Sequence, residues 1–155
     1  MKKKIGAVAA ATAALLVLAG CAPTTPAETG GTDITLWVMG GDTPDALRDY
    51  LKTEYADATG GTLTIEQQDW ADALSKLTTA LPDPENTPDV VEIGNTWSPT
   101  FTSVGAFSDI SDMYDELGGD SLLQSFVDVG AVDGKNYALP YYFGSRYVFY
   151  RKDVW

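Results

Sequence analysis

Three short apolar runs alternating with two stretches of helical periodicity constrain the fold of this 155-residue chain more than any other feature. Ile34-Thr35-Leu36-Trp37-Val38-Met39 is rich in strand formers and is stopped by Gly40-Gly41. Beyond it, Asp42 or Thr43 can cap a helix with Pro44 in its first turn, and Ala46, Leu47, Tyr50, Leu51 and Tyr55 recur at helical spacing until Gly60-Gly61. Thr62–Gln67 alternates, with Leu63 and Ile65 on one face, and predicts a second strand. Trp70, Leu74, Leu77 and Leu81 then form one apolar helical stripe, which Pro82, Pro84 and Pro88 end. Asp89–Ile93 reads as a third strand closed by Gly94. Strand, helix, strand, helix, strand in this rhythm is the pattern of an α/β fold, a parallel sheet with right-handed crossovers.

Past this unit the periodicity shortens. Phe101–Val104, Ile110–Leu117 and Leu122–Val129 are expected to be mainly helical, and Asp133-Gly134 signals a tight turn leading into Tyr137-Ala138-Leu139-Pro140. Tyr147-Val148-Phe149-Tyr150 is expected as the last strand, with Tyr137, Tyr147 and Tyr150 as packing residues. The acidic stretch Asp109–Glu116 lacks the glycine and terminal glutamate of a calcium loop and reads as a solvated helix face, so no metal is expected.

The amino terminus has a different logic. Lys2, Lys3 and Lys4 precede an apolar run, Ile5–Ala19, too short to span a bilayer and shaped like the core of a secretory signal. Leu18-Ala19-Gly20-Cys21 at its end resembles the lipobox of bacterial lipoproteins, which implies export, cleavage before Cys21 and diacylglycerol on its thiol. An ordinary signal peptide with a chance cysteine is the alternative. Residues 1–20 are thus a lipoprotein signal peptide and 21–32, lipidated Cys21 followed by Pro, Thr and Gly, a flexible tether; order begins at 33–155. Cys21 is the one cysteine, so the fold rests on its core rather than on disulfides. The chain has no histidine, which removes Ser-His-Asp and Cys-His catalysis and histidine-ligated zinc. A net charge of −12, more acidic still once the leader lysines are gone, argues against nucleic acid and against an anionic membrane surface other than through the lipid.

Ligands of open α/β sheets sit beyond the carboxyl ends of the strands. Three loops fall there: Gly40-Gly41-Asp42, Gln68-Asp69-Trp70 and Gly94-Asn95-Thr96-Trp97-Ser98. A fourth, Tyr141 to Arg146, lies between the last two expected strands. They hold indoles, phenols, hydroxyls, an amide, carboxylates and a guanidinium. That mixture suits a sugar, whose C–H face packs on aromatic rings and whose hydroxyls need planar polar partners. Each residue also has a plainer reading: Asp42 as a helix cap, Trp70 and Trp37 as core, Trp97 as a buried loop residue.

Thr87-Pro88-Asp89-Val90-Val91-Glu92-Ile93-Gly94-Asn95-Thr96-Trp97, Gly105–Ile110, Asp133–Pro140 and Gly144–Asp153, in that order behind the lipobox, resemble the extracellular solute-binding proteins of carbohydrate ABC importers (family 1). The resemblance implies a periplasmic-binding-protein-like (type II) α/β lobe, one half of a two-lobed clamp most of whose second lobe is absent from this chain. It implies sugar contacts from Asn95, Thr96 and Trp97, from Tyr142, Ser145 and Arg146, and from Asp69 and Trp70; Asp42 joins them by its place in the loop after the first strand. It also implies a non-catalytic, cofactor-free, monomeric receptor anchored on the outer face of the bacterial cell membrane, with permease subunits as partners. Many relatives carry an acidic residue where this chain reads Phe143-Gly144-Ser145, which leaves the preferred sugar open. Two other classes remain: an exported glycoside hydrolase using Asp42 and Asp69 as its carboxylates, or a structural surface lipoprotein in which Trp70 and Trp97 are core. Intact mass spectrometry of the protein extracted from its native membrane is expected to find diacylglycerol on Cys21; an unmodified thiol there removes the anchor.

Overall fold

The computed structural model describes residues 31–145 and 147–154. The expected signal peptide, Cys21, most of the expected tether, Arg146 and Trp155 lie outside the described residues. β1 (Ile34–Met39) is the central strand of a three-stranded parallel sheet, flanked by β2 (Leu63–Gln68) and β3 (Val90–Val91). Pairing with β2 runs without a break from Ile34 opposite Leu63 to Met39 opposite Gln68. Pairing with β3 covers only Leu36 with Val90 and Trp37 with Val91. The five-residue third strand expected from Asp89–Ile93 is shorter because two carboxyls take over the ladder at its ends. The Thr35 N–H donates to Asp89 Oδ2 and the Met39 N–H to Glu92 Oε2, both at 2.8 Å.

The helices α1 (Asp45–Thr59) and α2 (Trp70–Ala80) lie on opposite faces of this sheet. Gln67 of β2 accepts from Arg48 of α1, whereas the next residue, Gln68, accepts from Lys76 of α2. Successive strand residues point to opposite faces. Packing is concentrated on the α2 face. Met39, Ala73 and Leu77 are fully enclosed there with Phe101 from α3 (Ser98–Ser103), and Trp37, Trp70, Val91, Ile93, Trp97 and Phe107 pack around them. The stripe expected for α2 is rotated. Ala73, Leu77 and Ala80 are buried, Trp70 and Leu81 are half-buried, and Leu74 stays 44% exposed. The two alanines let the helix sit close to the sheet around Leu77. Asp69 caps α2, its Oδ1 accepting the Ala71 N–H at 2.9 Å.

α1 starts differently from expectation. Pro44 occupies the cap position with no side-chain cap, so neither Asp42 nor Thr43 serves the helix end, and both are left for the site described below. Gly60 ends it in the left-handed conformation. No α1 residue is buried, and its apolar stripe, Leu47 and Tyr50 included, faces solvent in part.

Beyond α3 the chain runs through single 3₁₀ turns and the short α4 (Gln124–Val127) into a hairpin of β4 (Ala131–Val132) and β5 (Lys135–Asn136). Asp133 and Gly134, at φ 52° and 77°, form its two-residue turn, as the sequence predicts. The acidic stretch is a 3₁₀ turn at Ser111–Met113 instead of a helix face. Asp109 accepts from Ser111 and pairs with Lys135 at 2.8 Å, which holds its carboxyl well below the usual carboxylate range. No cluster of possible metal ligands occurs among the described residues. Tyr147–Tyr150 forms no strand, because no ladder partner lies among the described residues. Tyr147 and Tyr150 are 74% and 70% exposed and are not packing residues here, while Tyr137 is half-buried. Leu77→Ala is expected to destabilise the fold by about 3 kcal/mol in urea unfolding, and Leu74→Ala by less than about 0.5 kcal/mol.

Candidate functional site

The strand order β2-β1-β3 places a crevice at the carboxyl ends of β1 and β3, whose following segments turn away in opposite directions. Gly40 opens the loop after β1 and is required there twice over. Its φ is +53°, and a Cβ would stand 2.8 Å from Cδ1 of Trp70. Arg48, from the first turns of α1, fastens this loop from below. Its Nε donates to the Thr43 carbonyl at 2.7 Å, its Nη1 to Gln67 at 2.8 Å and its Nη2 to the Gly40 carbonyl at 3.4 Å.

Asp42, held by this loop, is the centre of the site. Its Oδ2 accepts from Trp70 Nε1 at 2.7 Å and from the Tyr142 hydroxyl at 3.1 Å. Trp70 meets Trp97 with ring centroids 5.5 Å apart and planes tilted by 57°. The turn that delivers Trp97 is closed by its own N–H donating to the Gly94 carbonyl at 2.9 Å. Asn95 and Thr96, exposed on this turn, make no side-chain hydrogen bond among the described residues. Tyr141 and Tyr142 stack edge to face at 5.5 Å, and the Tyr141 hydroxyl shares a 3.1 Å hydrogen bond with the buried Thr43. Phe143 docks on Phe126 of α4 at 5.2 Å and steadies the segment from the far side.

Four residues singled out from the sequence are therefore gathered in one cluster: Asp42, Trp70, Trp97 and Tyr142. Asp69 stands next to Trp70 but is engaged as the α2 cap. Ser145 is exposed beyond Phe143, and Arg146 lies outside the described residues. Sequence reasoning missed Arg48 and Glu92. Arg48 gives no signal beyond its place in the first turns after a site loop. Glu92 does give one, as an acidic residue among the apolar strand formers of Val90-Val91-Glu92-Ile93. Burial pushes the Glu92 carboxyl above its ordinary value and Asp42 adds to this, against the Met39 amide and the Arg48 charge.

The bacterial extracellular solute-binding protein family matches residues 51–155, more than half of the chain. The chain belongs to this family. The diacetylchitobiose binding protein DasA of Streptomyces coelicolor is 39% identical over 125 residues, which cover 81% of this solute-binding chain and 29% of DasA. The lobe is similar to the GacH receptor of Streptomyces glaucescens, solved without ligand and with acarbose (19% identity, 70% of this chain and 28% of that one, TM-score 0.61). It is also similar to the extracellular solute-binding protein of Staphylococcus aureus in complex with maltose (23% identity, 70% and 28%, TM-score 0.58). These likenesses make the fold the periplasmic-binding-protein type II α/β fold, as the sequence resemblance implies. The chain spans less than a third of the length of these relatives.

The Asp42 contact has a measurable consequence. Burial of the Tyr142 hydroxyl and then its bond to Asp42 push its phenol up to about 12 from 10.0, although the ring is half-exposed. The unfolded chain loses this proton near pH 10.0 and the folded chain only near 12, so the stability it contributes is full below the first value and lost as pH rises to the second. Ultraviolet titration is expected to show one late phenolate, absent in Tyr142→Phe and titrating earlier in Asp42→Asn.

Proposed function

We propose that this chain is the first lobe of a two-lobed, lipid-anchored receptor that takes up a carbohydrate in its crevice and delivers it to the permease of an ABC importer. The receptor acts as a monomer on the outer face of the bacterial cell membrane, without catalysing a reaction. The observation that carries this reading is the constellation at the strand ends. Two indoles from different loops meet over a carboxylate that also orients a tyrosine. Tilted aromatic faces take the C–H surface of a pyranose, and the Asp42 Oδ1, without a partner among the described residues, the Asn95 amide and the Thr96 hydroxyl suit its rim of hydroxyls. The family resemblance adds Ser145, Arg146 and Asp69 to the residues expected to contact the sugar. The names of the relatives support the same class, since they bind diacetylchitobiose, acarbose and maltose.

One lobe leaves a sugar half in water, so enclosure and tight binding belong to the closed, two-lobed state. The test is calorimetric titration of the full-length protein with diacetylchitobiose, maltose and acarbose. Saturable binding of at least one is expected, with the sugar recovered unchanged, and Trp97→Ala is expected to bind at least tenfold more weakly with an unaltered melting temperature. Shortened saccharide products would point to a glycoside hydrolase. No binding, together with a destabilised Trp97→Ala, would point to a structural lipoprotein.

A further inference from the structure

Glu92 takes no part in the contacts proposed for the sugar, yet its chemistry is out of keeping with a structural position. The residue is 9% exposed and stands at the end of β3. Its Oε2 accepts the Met39 N–H at 2.8 Å, and its Oε1 is enclosed with no partner among the described residues. In a parallel ladder continued past Trp37 and Val91, the Met39 N–H would be taken by the backbone carbonyl of Glu92, whose own N–H already donates to the Trp37 carbonyl at 2.8 Å. The side chain has replaced the backbone acceptor of its own residue.

Two things follow from that replacement. The backbone after Glu92, released from the ladder, leaves β1 and curls into the Gly94 turn that lays Trp97 on Trp70. Met39 remains held although its neighbour has gone, which keeps Gly40-Gly41-Asp42 in place beside it. A backbone carbonyl would hold the same amide without enclosing an unpartnered oxygen, which is unfavourable in a dry interior. An apolar strand former at this position would avoid that oxygen and continue the sheet, closing the crevice.

We propose that Glu92 is the positioning residue of the sugar site: its carboxyl stands in for the backbone at Met39, parts β3 from β1, and so sets the gap across which Trp70 and Trp97 meet. The ligand readout of this proposal rests on the carbohydrate reading above, and its spectroscopic readout does not.

The experiment compares Glu92→Gln, which keeps an acceptor oxygen, with Glu92→Val, which lacks one, in the full-length protein. Glu92→Ala replaces the valine variant if that does not fold. Three quantities are read: hydrogen exchange at the Met39 amide, the near-ultraviolet circular dichroism of the Trp70–Trp97 pair (the signal removed by Trp97→Phe), and affinity for diacetylchitobiose. Glu92→Gln is expected to keep amide protection and the pair signal and to bind within about twofold of the parent. The variant without an acceptor is expected to exchange at Met39 at least tenfold faster, lose the pair signal and bind at least tenfold more weakly, with unchanged far-ultraviolet dichroism. Retention of protection and pair signal without an acceptor overturns the proposal, as does their loss in a folded Glu92→Gln. Failure of the parent protein to bind diacetylchitobiose or the other sugars would count against the carbohydrate reading, while exchange and dichroism would still decide the role of Glu92.

Discussion

A strand with neighbours on both edges must find a partner for every backbone amide it removes from water, and β1 carries that requirement for this lobe. On one edge β2 meets it residue by residue over the whole strand. On the other, two backbone pairs and the carboxyls of Asp89 and Glu92 share the task. The difference between the edges shapes the crevice: the continuous edge keeps β1 and β2 paired to their carboxyl ends, and the side-chain-terminated edge lets the chain diverge where the indoles meet.

The arrangement around Asp42 shows how a site on loops acquires rigidity. Arg48 grips the loop by its carbonyls, Gly40 admits the Trp70 ring against the backbone, and Trp70 and Tyr142 converge on one carboxylate oxygen. The guanidinium of Arg48 is directed at neutral acceptors, so its charge helps to hold the loop rather than offering a dedicated anion-binding fork. A polyhydroxyl ligand matches what the described residues leave available in the crevice: aromatic faces, an amide, a hydroxyl and one carboxylate oxygen.

Much of this was legible in the sequence. β1, β2, α1 and α2 follow from apolar spacing and from Gly and Pro at their ends, and the rule that ligands gather at strand carboxyl ends picked out Asp42, Trp70 and Trp97. What escaped depends on contacts distant in sequence. Hydrophobicity prefers Leu74 to Ala73 in the α2 stripe, whereas the sheet accepts the smaller residue because it permits closer approach. The strand composition of Val-Val-Glu-Ile predicts five residues for β3. Only the Met39 amide reveals that a side chain ends the ladder. Tyr147–Tyr150 has strand chemistry too, but propensity cannot provide a neighbour to pair with.

That last segment governs how the lobe behaves in a crowded solution. Val148 and Phe149 are 93% and 90% exposed, between Tyr147 and Tyr150 at 74% and 70%, and belong to no ladder among the described residues. Four apolar, β-favouring residues whose amides and carbonyls have no ladder partner among the described residues form a template onto which an equivalent segment of another molecule can add. For residues 31–154 taken by themselves, this short edge favours self-association as concentration rises, and the acidic net charge opposes it.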